Sequence, residues 1–137
     1  MRENFQSLGL LILRLLIGFG IVQHGWGKLS GDVAGFAQGA VAGKLGLPMP
    51  LFFAWAAALS EFVGGILIAV GLGTRVGAFL VLCVMATAFF LFHAADPFEV
   101  KELAFLYGSA ALSLLLTGGG KYSLDAKIFC RKCAPGS

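Results

Sequence analysis

Four long apolar stretches leave this chain few ways to fold. They run from about Gln6 to Gly27, Pro50 to Gly73, Val76 to Ala94 and Glu102 to Gly118. A helix needs about 20 apolar residues to cross roughly 30 Å of hydrocarbon. The first three stretches reach that length; the fourth is shorter and relies on its ends. In lipid every backbone polar group must be satisfied internally, so only helices and closed barrels span a membrane. Barrel strands alternate apolar and polar residues, and these runs do not. The expected architecture is therefore all-α, a bundle of four transmembrane helices. Composition agrees, because 58% of the 137 residues are hydrophobic and 12% are charged. Soluble proteins carry about twice that share of charge, so lipid must solvate much of this surface. One membrane domain is expected over residues 1–120, followed by a basic tail over 121–137.

Boundaries have local causes. Pro48 and Pro50 sit where a helix can begin, since its first turn has no use for the missing N–H. Gly71 and Gly73 end the second span, Asp96–Pro97 breaks the chain after the third, and Gly118–Gly119–Gly120 stops the fourth. In the longer connection after the first span, Val33, Phe36, Ala37, Ala40, Val41 and Leu45 recur at helical spacing. Asp32 can cap that segment and Gly46 can end it. A short amphipathic helix is expected there, lying on the membrane surface or folded over the mouth of the bundle. Small residues line one side of the second span (Ala54, Ala57, Ala58, Gly64, Gly65) and of the fourth (Ala104, Gly108, Ala111), which lets backbones approach closely.

Arg2 ahead of an apolar run resembles a signal peptide. Arg14 interrupts the run, however, and no small-x-small cleavage site follows, so a retained first helix is expected. Cations set the orientation. Arg2, Arg75, Lys121, Lys127, Arg131 and Lys132 lie on one side of the spans, against Lys28, Lys44 and Lys101 on the other. The positive-inside rule then places both termini in the cytoplasm.

The net charge of +3 comes from scattered cations. No basic patch with interleaved aromatics marks a nucleic-acid partner. There is no P-loop, dinucleotide-binding glycine loop or nucleophile elbow, so a nucleotide-dependent mechanism would need a partner. Cys83, within an apolar run, reads as an inert buried residue. Cys130 and Cys133 form a Cys-x-x-Cys pair in the tail. That pair is half of a zinc site at most, or a redox dithiol without the usual strand–helix context. A solvated tail is its default reading, and no metal is expected.

A charge within a span costs at least about 2.5–3.5 kcal/mol, so it normally faces inward and finds a partner. Glu61 lies near the middle of the second span, on the face of its small residues. Arg14 is the only cation inside another span and is the expected partner. The pair reads equally as a structural tie or as a proton- or ligand-handling site. His24, Lys28, His93 and Glu102 fall toward the opposite end and are expected to converge at one mouth. Two histidines from two helices are one way to ligate haem iron, but interfacial histidines are usually solvated, so haem is not expected. A quinone carbonyl needs only hydrogen-bond donors beside an apolar slot. Phe52, Phe53, Trp55, Phe90, Phe92 and Phe98 offer one, although an aromatic belt accounts for most of them.

These residues also carry a resemblance. Leu13-Arg14-Leu15 followed by Gln23-His24-Gly25-Trp26-Gly27-Lys28-Leu29 resembles the DoxX (DoxD/DoxX-like) membrane proteins. So do Gly46-Leu47-Pro48, Leu59-Ser60-Glu61-Phe62-Val63-Gly64-Gly65 and Gly71-Leu72-Gly73-Thr74-Arg75. Glu102 and the ending Gly118-Gly119-Gly120-Lys121-Tyr122-Ser123-Leu124-Asp125 complete the pattern. It covers residues of about 7 to 125. The resemblance implies a bacterial or archaeal inner-membrane protein associated with quinone-linked redox chemistry. Such proteins look like small subunits of thiosulfate:quinone oxidoreductases or terminal oxidases, or like partners in oxidative-stress and thiol-redox assemblies. The family pattern falls on Arg14, His24, Gly25, Lys28, Glu61, Gly65, Arg75, Glu102, Ser123 and Asp125; the Cys-x-x-Cys pair is outside it.

The leading expectation is thus a non-autonomous redox subunit that binds a quinone-like or other small apolar ligand between its helices. Its partners would be the bilayer, an oxidoreductase subunit and a second copy of itself. The rival classes are a small-solute or proton transporter, which would need an oligomer, and a non-catalytic assembly factor.

Overall fold

The computed structural model describes residues 1–129; the Cys130–Cys133 pair, Arg131 and Lys132 lie outside the described residues. Four helices are long and apolar enough to span a membrane, and no strand forms among the described residues. Helix α1 covers Arg2–Ser30. Helix α2 begins at Val33–Phe36 and continues as a π-helix over Ala37–Lys44. Helix α3 is Pro50–Val70, α4 is Thr74–Thr87 with a π-helical extension over Ala88–Phe92, and α5 is Phe98–Thr117. A last short helix, α6, covers Leu124–Phe129. The protein is a multi-span membrane protein. Its outward faces carry Leu16, Phe19, Phe79 and Leu116, each more than half exposed, a surface that only lipid solvates favourably.

Two spans exceed their expected limits. The first begins at Arg2 rather than near Gln6 and runs to Ser30, and the fourth begins at Phe98 rather than Glu102. Pro97 supplies the extended residue ahead of α5, and a helix tolerates polar residues in its first turn where it meets the interface. The second span ends earlier, at Val70, because Gly71 takes a left-handed φ of 76°.

The small residues do what lipid requires of them. A Cβ on Gly18 would meet Ala69 and the Gly65 carbonyl within 3 Å, and one on Gly25 would meet the Phe62 backbone at 2.5 Å. Helices α1 and α3 are therefore in backbone contact, with Gly18 beside Ala69, Val22 beside Gly65 and Gly25 beside Phe62. On the other side of α3, Gly64 meets Gly77 of α4 in the same way. Helix α5 packs on α4, where Ala111 and Leu114 join Ile21, Ile68, Ala78, Val81 and Met85 in the main core.

The connection after α1 folds over the bundle. Asp32 accepts a hydrogen bond from the Gly35 N–H at 2.9 Å, and Gly46 takes φ 66°. Val33, Ala37 and Val41 bury themselves against Ala54 of α3. The predicted apolar spacing is seen, but most of the segment winds as a π-helix. Such wide turns are rare and often border functional sites.

Candidate functional site

The α1–α3 register decides which charges meet. Arg14 lies beside the α3–α4 turn, whereas Glu61 is level with Gly25, roughly 16 Å farther along at 1.5 Å per residue. The expected Arg14–Glu61 pair therefore does not form. Membership of a neighbouring span could not show that the register of α1 on α3 sets the two groups more than an arginine's length apart. Glu61 pairs with Lys28 instead. The Lys28 ammonium stands 2.7 Å from both carboxylate oxygens. Helical side chains lean toward their own N-terminus, which brings the Lys28 stem down from the end of α1 to the level of Glu61. The carboxylate is 2% exposed, and Lys28 is 27% exposed.

Arg14, fully buried, has a different task. Its guanidinium donates to the carbonyls of Ile68 (3.4 Å), Ala69 (3.3 Å) and Tyr122 (3.1 Å). The first two are carbonyls at the C-terminal end of α3, where a cation also meets the negative end of the helix dipole. Asp125 completes this knot, accepting the backbone N–H of Gly73 at 2.7 Å and of Thr74 at 2.9 Å, and so caps α4 from outside. Burial pushes the Asp125 carboxyl up. The Thr74 and Gly73 donors, with the Arg14 charge, outweigh that and hold it below the usual carboxylate range. Ser123 donates to the Gly120 carbonyl and accepts the Ala126 N–H, while Arg75 reaches the Leu116 carbonyl at the end of α5. Arg14 Nε and the Thr74 hydroxyl are buried without a hydrogen-bond partner among the described residues.

The Lys28–Glu61 pair forms part of the wall of a partly open cavity of about 520 Å³ between α2, α3 and α4. Its lining is mostly apolar, with Phe36, Val41, Phe53, Ala57, Leu91 and Phe92 among the residues present. Ser60, Thr87 and His93 add polar groups. Both π-helical segments border it, through Ala40 and Val41 on one side and Ala88 and Leu91 on the other. Where the first ends in Lys44, that ammonium lies 3.3 Å from Asp96 and 4.1 Å from the centre of the Phe92 ring. His93 Nδ1–H donates to the same Asp96 carboxylate at 2.7 Å. The His93 hydrogen bond foremost, and the Lys44 contact with it, outweigh the opposing effect of burial and hold Asp96 below the usual range.

Of the four residues expected at one mouth, Lys28 and His93 do line the cavity. His24 does not: it is exposed and packs edge-on against Tyr107 of α5, 5.6 Å between ring centres. Glu102 is exposed on the first turns of α5, without an ion-pair partner among the described residues. In the expected aromatic slot, Phe53 and Phe92 line the cavity, whereas Phe52, Trp55, Phe90 and Phe98 face outward. Cys83, expected to be buried, is exposed and belongs to the cavity wall. The composition of its neighbourhood could not show that α3 and α4 part on that side. Lys44, Asp96, Ser60 and Thr87 were not anticipated. The one available signal was the His93–Asp96 spacing of three.

Fold and site together define a four-helix membrane protein with a ligand-sized apolar cavity and one ion pair in its wall. The chain belongs to the DoxX family, whose profile matches residues 9–94. It is 33% identical to an uncharacterized protein of Haemophilus influenzae, over 93% of this chain and 96% of that one. It is 33% identical to the Escherichia coli inner membrane protein YqjF over 90% and 94% of the two chains. The Bacillus subtilis protein named "Putative oxidoreductase CatD" is 32% identical over 94% and 92%. No solved structure matches the chain.

Proposed function

We propose that the protein is a small membrane subunit of a quinone-linked redox system and binds a quinone-like ligand in the cavity between α2, α3 and α4. The observation that carries this reading is the Lys28–Glu61 pair set into the wall of an apolar cavity of about 520 Å³. Ligand sites commonly measure about 300–1,000 Å³, mostly apolar with a few convergent polar groups. The Lys28 ammonium has three N–H groups, and two point at Glu61. The third is left for an acceptor such as a quinone carbonyl. Reduction to the quinol adds two electrons and two protons. A partner oxidoreductase supplies the electrons, and Lys28 with Glu61 forms the hydrogen-bonded end of a proton path to the carbonyl oxygen. The names of YqjF and CatD support an inner-membrane location and redox chemistry. Under the positive-inside rule both termini lie in the cytoplasm.

The test is a titration of the protein in nanodiscs with a ubiquinone and a menaquinone of short tail. Wild type is expected to bind one of them at micromolar concentration. Glu61→Gln is expected to bind at least about tenfold more weakly, or 1.4 kcal/mol, while remaining folded. No binding by wild type up to the solubility limit of both quinones would overturn the reading.

A further inference from the structure

We infer that the cavity is loaded sideways from the hydrocarbon, through the cleft between α3 and α4, and takes a neutral amphiphile with a hydrogen-bond-accepting head and an apolar tail. The inference rests on the reading of the cavity as a ligand site and adds a route and a ligand class. Three observations carry it.

The first is depth. Cys83 is the middle residue of the 19-residue span Thr74–Phe92, so it lies roughly 14 Å from either end at 1.5 Å per residue. Cys83 is exposed and lines the cavity. An opening at that depth faces acyl chains rather than water. The cleft continues outward past other exposed lining residues, Phe53 at 36%, Ala56, and Leu91 at 60%.

The second is the cover on the polar side. Val33, Ala37 and Val41 of α2 are sealed onto Ala54. The Lys44–Asp96–His93 chain fastens the end of α2 to the loop between α4 and α5. A solute coming from water would have to break those contacts, whereas one coming from lipid would not.

The third is charge. Glu61 neutralises Lys28 with both oxygens, so the wall has no net charge to offer. A charged head would enter hydrocarbon uncompensated, at large cost. A neutral acceptor can take the remaining Lys28 N–H without disturbing the pair.

Cys83 is the reporter. The full chain in liposomes is treated with N-phenylmaleimide or its para-sulfonate, which differ only in a fixed charge, and labelling at Cys83 is read by peptide mass spectrometry. The neutral reagent is expected to label Cys83 at least tenfold faster, and Ala57→Phe, which fills the cleft, to slow that labelling severalfold. Equal rates for the two reagents would overturn the sideways route, as would a Cys83 inert to both until the protein is unfolded. No quinone enters that comparison, so it stands or falls apart from the functional reading. Decylubiquinone and a short-tailed menaquinone are then added in turn as competitors. Slower labelling with either supports both proposals. If the reagents differ as expected but neither quinone protects, the route stands and the quinone reading falls.

Discussion

Arg14 and Glu61 are both charged groups held in apolar surroundings, yet they are built differently. Arg14 is surrounded by backbone. Its hydrogen bonds go to the carbonyls of Ile68, Ala69 and Tyr122, whose positions the fold itself dictates. Glu61 has one partner, the Lys28 side chain, and a cavity beside it. Backbone partners cannot be exchanged for a ligand without unfolding something; a side-chain pair next to a void can share its donors. The contrast teaches that a buried charge does not by itself mark a functional site. The kind of partner and the space next to it do.

Substitutions can break this contrast, and their expected effects descend in size. Arg14→Leu strands three carbonyls where α3 meets the chain after α5. It is expected to cost about 3 kcal/mol or more, seen as a large fall in melting temperature in detergent, with ligand binding lost only through unfolding. Lys28→Met leaves a buried carboxylate unpaired, which costs about 3 kcal/mol. The double variant Lys28→Met with Glu61→Gln is expected to regain most of that stability but not quinone binding. If the double variant is no more stable than the single one, Lys28 is not what compensates the buried Glu61 carboxylate.

Asp125→Asn weakens the cap on α4 and is expected to cost about 1 kcal/mol, with binding at the far cavity unchanged. It should also alter the acid limb. The folded-state Asp125 carboxyl lies below its ordinary value, so its stabilisation is complete above about pH 4 and is lost as pH falls through the folded value. Melting temperatures measured downward from pH 5 should therefore decline less in the Asn variant than in wild type. The smallest effect belongs to Asp96→Asn. It loosens a partly exposed contact, worth a few tenths of a kcal/mol. Hydrogen exchange in Ala37–Lys44 is expected to rise while overall stability barely moves.

Much of this was legible from sequence. The spans, the cap at Asp32, the left-handed turns at Gly46 and Gly71 and the small-residue seams follow from hydropathy, spacing and conformational preference, all of them local properties. The motif residues were visible too, but not their division of labour. Arg14 precedes Ser123 and Asp125 by more than 100 residues and comes near them only because the chain after α5 returns to the α3–α4 turn.

The sequence alone determined that this protein is a helical membrane bundle and that Glu61 turns inward, because in hydrocarbon the cost of an exposed charge or an open backbone exceeds any alternative. Tertiary structure decided that Lys28, and not Arg14, meets that carboxylate, and that α2, α3 and α4 leave room beside it. Both depend on the offset between α1 and α3, which the contact of Gly18 and Gly25 with the α3 backbone sets to within a residue. A shift of one helical turn moves a side chain by about 5.4 Å, enough to change a partner, and hydropathy carries no information at that scale.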